Sequence, residues 1–76
     1  MVMILQDIPL GRNIQNLRIA HNMTQEELVA QMQLLGSTIS RSTLGNIEVG
    51  LRNIKASDLK LIKTILNVDY SALFES

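Results

Sequence analysis

Apolar residues recur along the chain at helical intervals. Leu10, Ile14 and Leu17 follow one another at four and three residues, the spacing that gathers side chains on one face of an α-helix. Pro9 is tolerated in a first helical turn and Asp7 is a capping residue type, so a first helix is predicted over about residues 9–21. It stops at Asn22, one of the few residues besides glycine that accepts the left-handed conformation common past helix ends. "MTQEEL" carries two start signals together: Thr24 with Glu27 three residues on forms a capping box, and Met23 with Leu28 a hydrophobic staple. Leu28, Met32 and Leu35 continue this second helix as one apolar stripe until Gly36, and "GSTI" is a turn. Ser40 caps a third helix over 40–49, where Leu44, Ile47 and Glu48 share a face and Gly50 terminates it. Ser57 starts a fourth with Leu59, Ile62 and Leu66 inward, and Asp69 caps a short fifth carrying Leu73 and Phe74. The pattern predicts an all-α domain of five helices with short connections over residues 9–76, preceded by an apolar arm at 1–8.

Composition narrows what such a domain can do. A chain of 76 residues buries only about 60% of the surface its unfolded form exposes, so one domain with a thin stability margin is expected. Cysteine is absent, which removes disulfides and thiolate metal sites and fits a reducing cytoplasm. No apolar run reaches the roughly 18 residues needed to span a bilayer, and "MVMIL" lacks the basic leader of a signal peptide, so it is read as a packing arm. His21 is the only histidine and the carboxylates are scattered, so no nucleophile and base can be paired: neither an enzyme nor a cofactor is expected. His21 itself reads as a solvated residue near a helix C-terminus.

Seven basic and seven acidic residues give zero formal net charge, a mild argument against strong nonspecific binding to nucleic acid. Placement softens it. Arg41, Arg52, Lys55, Lys60 and Lys63 fall in a stretch whose only acids before Asp69 are Glu48 and Asp58. At about 100° per residue, turning Leu44 and Ile47 inward puts Ser42, Gly45, Asn46 and Val49 on the outer face of the third helix, with Arg41 and Thr43 flanking its first turn. A major groove roughly 12 Å wide admits such a helix. Arg41 can take a guanine edge or a phosphate, Asn46 has the donor and acceptor set for adenine, Ser42 and Thr43 can bond to base edges or backbone, and the free N–H groups after Ser40 can meet a phosphate. Arg52, Lys55 and Arg12 are either phosphate clamps or solvated surface. Polar outer faces are also common on helices that read nothing, so the flanking motifs matter.

Those motifs, "LRIAHNMTQEELVAQM" followed by "ISRSTLGNIEVGLR", resemble the Cro and phage-repressor class of helix-turn-helix, the XRE type, over about residues 10–74. The resemblance implies a compact lambda-repressor-like fold and a sequence-specific double-stranded DNA-binding transcriptional regulator, a repressor that reads the major groove with the helix 40–49. It further implies a homodimer on a palindromic operator, a bacterial or phage cytoplasmic setting, and no small-molecule substrate. Gln25 matches the family glutamine that contacts a DNA phosphate. "IEVG" matches the family signature I-E-x-G, whose glutamate pairs with an arginine; here Glu48 pairs with Arg18 as a largely buried structural ion pair. The implied DNA-binding set is Gln25, Ser40, Arg41, Ser42, Thr43, Gly45, Asn46 and Arg52.

The chain departs from the family's compact form in three places. The stretch between Gln25 and Glu48 is longer, the surplus falling in "QLLGST"; Val29 stands where alanine is usual, and Gly45 where serine is frequent. Dimer surfaces are sought in the arm, Val2, Met3, Ile4 and Leu5, and in the last helix, Tyr70, Leu73 and Phe74, although either can pack on its own core. The alternative from another class is a protein-interaction module on the same fold, antitoxin-like or bridging, with DNA binding weak or lost.

Overall fold

The computed structural model describes residues 9–75, which run as α1 (Leu10–Ala20), α2 (Gln25–Leu34), α3 (Arg41–Glu48), α4 (Ala56–Leu66) and α5 (Tyr70–Phe74), with no strand among them. The arm expected at 1–8, and Asp7 as a cap, lie outside the described residues.

The first four helices end in the same way. Asn22, Gly36, Gly50 and Asn67 adopt left-handed φ values of 56°, 100°, 84° and 53°. Around each, two backbone bonds close the turn, as when Met23 N–H reaches the Arg18 carbonyl at 3.1 Å while Asn22 N–H reaches that of Ile19 at 2.9 Å. This pattern satisfies the last carbonyls of a helix and reverses the chain in two residues, which is why the connections are short.

Starts are more varied. Thr24 and Glu27 form the reciprocal capping box, Thr24 Oγ1 accepting from Glu27 N–H at 3.0 Å and Glu27 Oε1 from Thr24 N–H at 2.8 Å. Ser40 caps α3 by accepting the Thr43 N–H at 3.1 Å. The fourth start differs from expectation: Lys55 holds the cap position and Ser57 lies exposed inside the first turn. Asp69 stands at the head of α5 but makes no side-chain cap bond.

The acid that matters in α4 is its neighbour Asp58, buried at 9% exposure. Ser37 Oγ donates to its Oδ1 at 2.7 Å and accepts the Ile39 N–H at 3.0 Å, while Gln33 Nε2 reaches the Ile39 carbonyl at 2.8 Å. Three side chains thereby pin the long α2–α3 turn to α4 and satisfy a backbone that would otherwise be buried bare. A carboxylate in a helix's first turn also suits the positive end of the helix dipole.

Ile14, Leu28, Met32, Leu44, Ile62, Leu66 and Leu73 are fully buried at the centre. α1 packs on α3, α4 and α5, and α2 on α3 and α4. Leu35 leaves the expected stripe: α2 ends at Leu34, and Leu35, the cap residue just before the left-handed Gly36, is 54% exposed. Ile39, expected as plain turn, is buried at 4%. Val29 is buried in the same cluster, and Asn13 clamps the chain end by donating to the Leu73 and Glu75 carbonyls at 2.8 and 2.6 Å.

Asp58→Ala removes the acceptor that orders the turn. Hydrogen bonds to a charged group contribute about 1.5–3 kcal/mol, and for a domain this size each kcal/mol moves Tm by about 4–8 °C. Thermal melting is expected to show that drop together with faster hydrogen exchange at the Ile39 amide; an unchanged Tm would mean the turn is held by other contacts.

Candidate nucleic-acid interface

Arg18, on the face of α1 turned to α3, and Glu48, the last residue of α3, meet in the interior. Arg18 Nε donates to Glu48 Oε2 at 2.7 Å and Arg18 Nη2 to Oε1 at 3.0 Å, the two-pronged geometry a guanidinium offers a carboxylate. The two side chains are 10% and 0% exposed. Arg18 Nη1 also donates to the Met23 carbonyl at 2.8 Å, tying the α1–α2 turn to the same point.

A third residue joins from α2. Gln25, its first residue, donates from Nε2 to Glu48 Oε1 at 2.9 Å and accepts at Oε1 from Arg41 Nη1 at 2.6 Å. The amide orientation follows from its partners, since a carboxylate only accepts and a guanidinium only donates. A hydrogen-bonded line therefore runs from the buried pair through Gln25 to Arg41 at the head of α3. Among the described residues no buried side-chain nitrogen or oxygen lacks a partner.

Beyond that line, Ser42, Asn46 and Val49 lie exposed on the outer face of α3. Ser40 Oγ and Thr43 Oγ1 are 3.0 Å apart and bonded to each other, so they hold the helix start as well as facing outward. Gly45 departs from the helical-wheel placement. It is half-buried, and a Cβ added there would sit 3.8 Å from Gln25 Nε2 and 3.9 Å from Oε1, because the Gln25 amide lies across it on the way to Glu48 and Arg41. Arg52 stands apart from this network, along an open groove shared with Arg12, Gln15 and Asn53. His21 is exposed, with Nδ1 2.7 Å from the Leu17 carbonyl.

Two features of this site escape the sequence pattern: the Gln25–Arg41 junction and the tight seat of Gly11 on α3. A partial signal exists for the first, since a glutamine and an arginine open the two helices whose starts meet.

Residues 14–73, well over half of the chain, match the helix-turn-helix family. The chain belongs to the XRE/Cro-type helix-turn-helix family. No curated protein and no solved structure matches it. Members of the family are DNA-binding rather than enzymatic, so the helix-turn-helix domain is in general terms a DNA-binding regulator with α2 and α3 as its paired helices. Among the described residues no group of three or more His, Asp or Glu is placed to hold a metal ion, and no helix is long and apolar enough to cross a membrane.

Removing one partner of a buried ion pair costs about 3–5 kcal/mol, against a total on the order of 4–11 kcal/mol for a chain of this length. Urea unfolding of Glu48→Ala should show a loss of that size. Gly45→Ala, by contrast, has room for its methyl and replaces a poor helix former, so its unfolding midpoint should rise by up to about 1 kcal/mol in stability. An unshifted midpoint for Glu48→Ala would show that the pair does not hold the domain.

Proposed function

We propose that this domain is a sequence-specific repressor that binds double-stranded DNA as a homodimer and reads the major groove with α3. The observation that carries the reading is the line from the buried Arg18–Glu48 pair through Gln25 to Arg41, which orients a long cationic side chain at the head of an otherwise small, polar helix face. With one N–H on Gln25, Arg41 keeps other donors for the O6 and N7 of a guanine. Asn46 suits an adenine, and Ser42 and Thr43 suit base edges or the sugar-phosphate chain. Gln25 retains a second amide N–H for a phosphate, the N–H groups after Ser40 offer another contact, and Arg52 a third. Gly45 keeps the face low beside them.

Zero net charge sharpens this reading. Weak sequence-independent attraction leaves discrimination to the few contacts of α3, and one reading helix supplies too few for tight binding. Two copies on a palindromic operator, with half-sites roughly 34 Å apart, supply the rest. Occupancy of such an operator in a bacterial or phage-infected cytoplasm is the proposed repressive act. A second reading draws on Val49 and Leu51, 65% and 79% exposed around the end of α3. They favour a protein-interaction module in which that end grips a partner protein.

Selection from random duplexes at two ionic strengths separates the two readings. The first expects an inverted repeat with half-sites about 10 base pairs apart and an affinity whose log-log salt slope is near −0.9 per phosphate contacted. Enrichment of no motif at either salt overturns it in favour of the second. On the selected site, Arg41→Ala should lose about 1–3 kcal/mol, roughly 5-fold to 150-fold, and tolerate other bases at one position while melting like the parent chain. A variant that unfolds instead would show that Arg41 serves the fold.

A further inference from the structure

α1 meets the last turn of α3 backbone to backbone, at Gly11. A Cβ at this position would fall inside the van der Waals shell of the Ile47 carbonyl oxygen and lie 3.1 Å from that of Glu48. Neither obstacle is the far end of a flexible side chain. The Ile47 oxygen is moreover already engaged, accepting the Gly50 N–H at 3.1 Å in the turn that terminates α3.

Seven residues on, near the same face of α1, Arg18 holds the Glu48 carboxylate. α3 is thus attached to α1 at two points: its backbone rests on Gly11 and its last side chain is gripped by Arg18. The helix has only eight residues, so two anchors at its last turn, with the Gln25–Arg41 bond at its head, leave it little latitude.

We infer that Gly11 is a positioning residue for base readout, resting on the reading of α3 as the recognition helix: it touches no DNA, but its missing side chain sets the tilt at which α3 is presented. A methyl group at 11 separates the two backbones by on the order of 1 Å, because non-bonded heavy atoms settle at about 3.5 Å. Arg18, Glu48 and Gln25 still hold the buried pair, so the displacement becomes a rotation of α3 about that grip. Base-edge hydrogen bonds from Arg41 and Asn46 are directional within a few tenths of an ångström, whereas phosphate contacts through a long side chain such as Arg52 adapt. Selectivity therefore falls before general affinity does.

The test compares Gly11→Ala with the parent chain on the selected duplex and on a scrambled duplex of equal length, at a temperature where circular dichroism shows both proteins folded. The expected result is an affinity for the scrambled duplex, and a salt slope, unchanged within twofold, with a loss of at least tenfold on the selected site or a new consensus at the bases facing Arg41 and Asn46. If Gly11→Ala is unfolded in buffer, both proteins are compared in molar trimethylamine N-oxide, which favours the compact state; failure to fold even there overturns the inference, since Gly11 then serves the whole domain. Equal selectivity in a folded Gly11→Ala also overturns it. A parent chain that enriches no site at all defeats the reading of α3 itself, and the inference with it.

Discussion

The buried pair of Arg18 and Glu48 is the constraint around which this small domain is arranged. Two charges withdrawn from water in a chain with so little interior are tolerated only if nearly every lone pair and N–H in reach is answered. That requirement is geometric. Arg18 has to reach the Met23 carbonyl as well as Glu48, and Glu48 has to receive Gln25 as well as Arg18. Satisfying them fixes α1, the start of α2 and the end of α3 against one another. An intact pair of this kind adds little net stability, so its contribution lies in allowing one arrangement and penalising the rest.

Local signals made most of the fold legible. The capping box at Thr24 and Glu27, the Ser40 cap, and the residues able to turn left-handed at Asn22, Gly36 and Gly50 all act within a few residues of where they stand, so their effects are written in the neighbouring sequence. Ser57 and Asp58 show where that stops. Both are residue types that favour a helix start, and what distinguishes them is the hydroxyl of Ser37, twenty-one residues earlier, arriving at one and not the other. Ile39 departs from expectation for the same reason: it lies in the turn that Ser37 fastens to Asp58 of α4.

The candidate site divides likewise. Periodicity exposes the outer residues Ser42 and Asn46, and family resemblance points to Arg18, Gln25 and Glu48. The juncture of Gln25 with Arg41, the cover that Gln25 lays over Gly45, and the seat of Gly11 under Ile47 depend on distances between helices, which no spacing along one helix encodes. Gly11 is the clearest instance, since a glycine carries no side chain for the apolar pattern to register, and in the fold it is the only residue type that lets these two backbones touch.

The Gln25 amide also restricts what chemistry position 41 can carry. Its nitrogen is committed to a carboxylate that can only accept, so its oxygen always faces residue 41 and always asks for a donor. An acidic side chain there meets an acceptor it cannot bond, and turning the amide round to meet it would set the oxygen against Glu48. The polar side chains that can answer Gln25 from the head of α3 are therefore donors, and an acceptor at 41 has to be introduced together with a change at residue 25.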